Sequence, residues 1–237
     1  MVQRHSIVLW KKAEKKEKNF EEISRETYDV LNLLQEYPYE LRPNYLTCDS
    51  QKDIKEFQWN QENFSSALKR GINKEDENVF EDLGYSISFF SSFDEKESSS
   101  IQIQTGNKND KFYDTLIINL PLKLDLYEKD NAEMVRKLFK NLVLAYKPYW
   151  GCLANRAISR KYGRYLEGNM PTTVHWMNYW SEDTVNTIGI EKLKKIMYEY
   201  NTVLFQDNIL VVKEIAFDVD KDEDMIFHEK LHKQLFS

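Results

Sequence analysis

The chain of 237 residues has only two cysteines, Cys48 and Cys152. They lie far apart without paired spacing, so they outline no disulfide framework and point to free thiols in a reducing compartment. Long apolar runs are also missing. No stretch approaches the roughly 18 residues that a membrane span requires. The apolar run over residues 6–10 is too short for a signal-peptide core, and lysines follow it at once. A cytoplasmic protein with no membrane partner is the expectation. Glycine is scarce, at 7 residues, and none of it forms a phosphate-cradling loop. A G-x-S-x-G elbow and a Cys–His pair with a known local signature are absent as well. No cofactor is implied. Positive charge is in deficit, with Lys and Arg totalling 33 against 39 Asp and Glu and a net charge of −6. That excludes the basic footprint of a nucleic-acid binder and suits a basic protein partner instead.

Aromatic residues are abundant, at 14% of the chain with 14 Tyr, 13 Phe and 5 Trp. Such side chains supply a dense core, an interface, or both. Periodicity places them. HSIVLW is short and β-branched and reads as a strand. From about Asn19, Phe20, Ile23, Thr27, Val30, Leu31 and Leu34 recur at helical spacing until Pro38. RPNYLT reads as a short extended piece, and a second helix is expected over residues 60–70 with Gly71 as its stop. YSISFFSS and SSSIQIQTG alternate as strands around a charged turn at Asp94, Glu95, Lys96 and Glu97. YDTLIINLPL supplies a third strand.

A long helix is expected from about Asn131 to before Pro148, then a strand at WGCLAN and a basic loop at SRKYGRYLEGNMP. In VHWMNYW, Trp176, Met177, Tyr179 and Trp180 read as core, with an exposed aromatic anchor as the alternative. The chain closes with a helix at IEKLKKIMYEY, a strand at TVLFQ, a tight turn at Asp207 and Asn208, a strand at ILVVKEIAF and a terminal helix. There is no regular βαβ alternation, no internal repeat and no Pro, Gly or Ser linker long enough to divide the chain. The expected fold is therefore one α+β domain over residues 1–237, a mainly antiparallel sheet packed by several helices.

Near the end, FDVDKDEDMIFHEKLH overlaps two metal-binding patterns. His228 to His232 spells H-E-x-x-H, in which two histidines one helical turn apart hold zinc and the Glu serves as general base. Such a site needs a third ligand downstream, and residues 233–237 contain no His, Glu or Asp. The alternative is a terminal helix with Ile226, Phe227, Leu231 and Leu235 inward and His and Lys outward. Asp218, Asp220, Asp222 and Glu229 occupy positions one, three, five and twelve of a calcium loop. Position six, where Gly makes the turn, is Glu223, and a strand reads as entering where a helix is required. Acidic residues before a helix explain the same pattern through its dipole. The expectation is no metal and no catalysis, with a metal-dependent hydrolase or a non-catalytic scaffold as the alternatives.

Two further features read as contact surfaces or as their plain structural equivalents. NKEDENVFEDLG gathers Glu75, Asp76, Glu77, Glu81 and Asp82 into either a solvated loop or a face for a basic partner. Asp218, Asp220, Asp222, Glu223 and Asp224 form a second candidate patch.

In order and spacing, the chain resembles the immunity protein 52 family of bacterial polymorphic toxin systems from roughly Ile7 to Phe227. The resemblance lies in the strand ending at Trp10 with a charged segment and long helix behind it. DLGYSISFFSS with its hairpin partner, PYWGCLAN after the long helix, and TVHWMNYW complete it. It implies a non-catalytic antidote that binds the C-terminal domain of a cognate secreted toxin. The partner it implies is a nuclease of the restriction-endonuclease-like fold. The two acidic patches are the candidate contact residues.

Overall fold

A computed structural model describes residues 4–14, 18–48, 52, 54–76, 78–162, 166–167, 170–200 and 203–236. The first strand, β1 (His5–Lys12), carries the apolar run and becomes the centre of a sheet. Helix α1 (Phe20–Asn32) starts where Asn19 accepts a hydrogen bond from the Glu22 amide and Glu22 reaches back to the Asn19 amide. This reciprocal cap satisfies two donors that the first turn leaves open. Strand β2 (Tyr45–Leu46) follows, then α2 (Gln61–Arg70), capped by Asn60 and stopped at Gly71. A Cβ at Gly71 would sit 1.9 Å from the Ser86 carbonyl oxygen, so only glycine lets this turn lie against the sheet.

A small hairpin, β3 (Lys74–Glu75) with β4 (Asn78–Val79), precedes β5 (Tyr85–Phe90), β6 (Ser100–Thr105) and β7 (Tyr113–Asn119). The long helix α3 (Lys129–Tyr146) ends at Lys147, in a left-handed conformation just before Pro148. Strand β8 (Trp150–Asn155) runs directly into α4 (Arg156–Tyr162). This part of the basic run had been expected to be a loop. Asn155 Oδ1 accepts the Ala157 amide and Ile158 is buried, so a local cap and one apolar anchor are enough to start a helix there. Residues 163–165 and 168–169 of that run lie outside the described residues.

The chain continues through β9 (Leu166–Glu167), β10 (Met170–Pro171), β11 (Met177–Trp180), α5 (Glu182–Ile188) and α6 (Ile190–Glu199). It closes with β12 (Leu204–Gln206), β13 (Ile209–Val211) and α7 (Asp222–Phe236). Helix α5, capped by Ser181, was not expected from the sequence. The expected long strand after Asn208 is only three residues, because the backbone then changes partners. Val212 N–H donates to Trp176 and Ala216 N–H donates to Leu126.

Nine strands form one sheet in the order β12-β13-β11-β8-β1-β7-β6-β5-β2, every neighbour antiparallel. With helices packed against it, the architecture is α+β. Side chains alternate across a strand, so each strand reports its two faces separately. Ile7, Leu9, Ile87, Phe89, Ile101, Ile103, Leu116 and Ile118 are buried on the face that carries α1, α2 and α3. Each such side chain contributes about 1.5–3 kcal/mol. All six residues of β8 are buried, so both sheet faces are covered there. Trp176, Met177 and Trp180 join that core. On β5, β6 and β7 the second face is different. Ser86, Gln102 and Asn119 are exposed, and Ser88, Phe90, Gln104, Thr115 and Ile117 are half-buried. These three strands therefore leave one face partly open.

Candidate interaction surface

The first acidic patch is built on the β3–β4 hairpin and the single 3-10 turn Glu81–Leu83 behind it. The hairpin is tied to the Tyr85 end of β5: Asn73 N–H donates to the Gly84 carbonyl, and Asn73 Nδ2 donates to the Leu83 carbonyl at 2.7 Å. Gly84 has φ +66°, and a Cβ there would meet the Thr105 carbonyl at 2.2 Å, so the turn needs glycine. Glu75, Asp76, Glu81 and Asp82 are all exposed on this projection, while Glu77 lies outside the described residues. Between them, Val79 is 51% and Phe80 42% exposed. The stretch is thus neither a bare solvated loop nor purely acidic. Two apolar side chains stand among carboxylates.

The second patch does not behave as one surface. Asp224 is largely covered, pairs with Lys213 and accepts the Asp218 amide at 2.8 Å. Asp218 accepts the Asp220 amide and lies 3.6 Å from Lys221. These two carboxylates shape the turn into α7. Asp220, Asp222 and Glu223 remain exposed, with Asp222, Glu223 and Asp224 in the first helical turn, where negative charge complements the dipole. The first patch adjoins β5 and the second adjoins β11 and β13, with β6, β7, β1 and β8 between those strands. The structure does not unite the two.

Both metal patterns are resolved by α7. Calcium-loop positions five to twelve, Asp222 to Glu229, are continuous α-helix, and irregular backbone precedes them rather than the expected strand. A rigid helix cannot wrap its carboxylates around a cation. His228 of the H-E-x-x-H pattern faces inward, contrary to expectation, His232 is half-buried, and Ile226 faces outward at 54% exposure. His228 is fully buried, with Nε2 2.8 Å from the Val174 carbonyl oxygen. Tyr162 packs on both rings, 5.0 Å from His228 and 4.5 Å from His232 between centroids. Glu229, the would-be base, pairs with Lys161. His175, distant in sequence, comes close enough for His228 and His232 to act on it electrostatically. Burial pushes His175 down to about 3 and His228 to about 4, and lowers His232. Among the described residues, no group of three or more His, Cys, Asp or Glu is placed to hold a metal ion.

Sequence reasoning missed an aromatic cluster at the Phe90 end of β5, formed by Tyr39, Tyr45, Phe90 and Phe93. Phe90 and Phe93, three residues apart, were its local signal; Tyr39 and Tyr45 come from a separate part of the chain. Cys48 is exposed and Cys152 is buried, and the two form no disulfide. Among the described residues no helix is long and apolar enough to cross a membrane.

No protein-family model matches this chain, and no curated protein matches it. Its fold is similar to a solved structure described as Pseudomonas aeruginosa T6SS protein PA0821, with a TM-score of 0.58 and 12% identity. The match covers 98% of this chain and 73% of that one. At that identity the likeness is one of fold.

Proposed function

We propose that this is a non-catalytic immunity protein of the cytoplasm that binds a cognate secreted toxin domain stoichiometrically and neutralises it. The observation that carries the reading is the hairpin projection, where exposed Val79 and Phe80 stand among Glu75, Asp76, Glu81 and Asp82. An isolated acidic loop needs no partner, but apolar side chains held out between carboxylates suit a partner that is basic with an apolar pocket. The fold likeness to a T6SS protein supports a place in bacterial competition, and so does the sequence resemblance to an immunity family. The partner proposed is a nuclease, because an enzyme that grips phosphate presents Lys and Arg on its working face. An acidic protein meets that face quickly and holds it by a few buried anchors.

The test is co-expression with the toxin domain encoded beside this gene. Cells should survive with this protein and die without it, and a 1:1 complex should elute from gel filtration. Equal killing in both cases, with no complex, would end the immunity reading.

A further inference from the structure

The partly open face of the sheet ends, at its β2 edge, in four aromatic rings drawn from three segments. Tyr45 stacks on Phe90 at 5.2 Å between centroids and lies 4.8 Å from Phe93. Phe90 and Phe93 meet edge to face at 5.3 Å, and the Tyr39 and Tyr45 hydroxyls are 3.3 Å apart. Phe93 is 65% and Tyr39 45% exposed. Large rings are normally turned inward or given a partner, and an exposed group of them marks a contact site.

Carboxylates neighbour the ring residues, through strand pairing at Glu56 and along the chain at the others. Glu40 follows Tyr39 in a 3-10 turn, Glu56 bridges the Tyr45 backbone, and Asp94 and Glu95 follow Phe93. Some nearby charge is already engaged: Lys123 pairs with Glu97 and Asp94, and Arg42 Nε donates to the Tyr37 carbonyl at 2.7 Å. Glu56 is near enough to act electrostatically on the Tyr39 hydroxyl, and Glu40 directly follows Tyr39 in the chain. Ring faces beside carboxylates select one chemistry above others. A guanidinium stacks flat on an aromatic ring while its donors fork onto a carboxylate, whereas an ammonium does neither as well.

We propose that the Tyr39, Tyr45, Phe90 and Phe93 cluster is a docking site for an arginine side chain on the surface of a basic protein partner. This deepens the immunity reading and, for the identity of the partner, rests on it. The arginine stem covers Phe93 and Tyr45, and its head meets the carboxylates at the rim. An arginine that a nuclease uses to hold phosphate is thereby taken out of use.

Two measurements on the full chain test the site. In the first, hexa-arginine and hexa-lysine are titrated separately and followed by NMR. Arginine should shift the signals of Tyr45, Phe90 and Phe93, and lysine should shift them much less. Equal shifts with both peptides, or shifts confined to the 74–83 hairpin, would overturn the proposal. In the second, Phe93→Ser and Tyr39→Ser, both at exposed positions, are measured against the toxin domain after their thermal midpoints have been matched to the parent. Phe93→Ser should weaken binding by at least about 30-fold, the range of an aromatic hot spot. Unchanged affinity in both variants would sink the site while leaving the immunity function standing. Failure of the parent protein to bind the toxin domain would instead remove the immunity reading, and the peptide titration would still decide the arginine site.

Discussion

Burial disfavours the charged form of His5, His175, His228 and His232. Burial pushes His5 and His228 down to about 4 and His175 to about 3, and it lowers His232. In the unfolded chain each would take a proton near pH 6.5. Below that pH the unfolded state binds protons that the folded state refuses, so stability is complete above about 6.5 and falls towards pH 3–4. Asp114 works the other way. Burial raises it to about 6 despite hydrogen bonds from the Gly106 and Asn107 amides, so the folded state takes its proton first. Four imidazoles against one carboxyl set the sign. Urea midpoints should fall from pH 7 to pH 5, and His228→Gln should flatten that fall. A midpoint that holds level over this range would show that these rings are charged or hydrated in the folded protein.

At the scale of elements, α7 decides the chemistry of its own sequence. Its inward stripe is His228, Leu231 and Leu235, an i, i+3, i+7 series, so the helix turns one would-be metal histidine into the core and leaves His232 half-buried at its edge. Calcium binding would require unwinding residues 222–229. Titration calorimetry should therefore show no micromolar calcium affinity; such affinity, abolished by Asp220→Ala, would mean that the segment is a loop in solution. The H-E-x-x-H pattern was legible in the sequence, but its orientation was not. Periodicity alone placed Ile226 inward, whereas the helix rotates to bury His228 against Val174, Phe217 and Tyr162. That choice depends on partners 11 to 66 residues away in the chain. The second acidic patch divides for the same reason, since Asp218 and Asp224 are drawn into the turn by Lys213 and Lys221.

For the whole molecule, the sheet is closed on both faces at β8 and partly open on one face at β5, β6 and β7. The acidic hairpin and the aromatic cluster lie at opposite ends of β5, one of these partly open strands. A stable complex of this kind buries about 1,600 Å² in total, enough to span both. The hairpin charges should then govern encounter and the aromatic rings should govern residence. Reversing Glu75, Glu81 and Asp82 to lysine should slow association with the toxin domain and flatten its salt dependence while leaving the thermal midpoint nearly unchanged. Stopped-flow binding across ionic strengths would read this. An unchanged association rate would place the contact elsewhere.

The amino-acid sequence by itself determined the α+β class, the major strands and the main helices, because apolar periodicity and caps such as Asn19, Asn60 and Gly71 act within a few residues. It also determined the excess of acid. Tertiary structure alone decided strand order, which strands stay partly open on one face, the inward turn of His228, and the meeting of Tyr39, Tyr45, Phe90 and Phe93. Those features depend on pairings between distant segments, where packing against a partner outweighs any local preference.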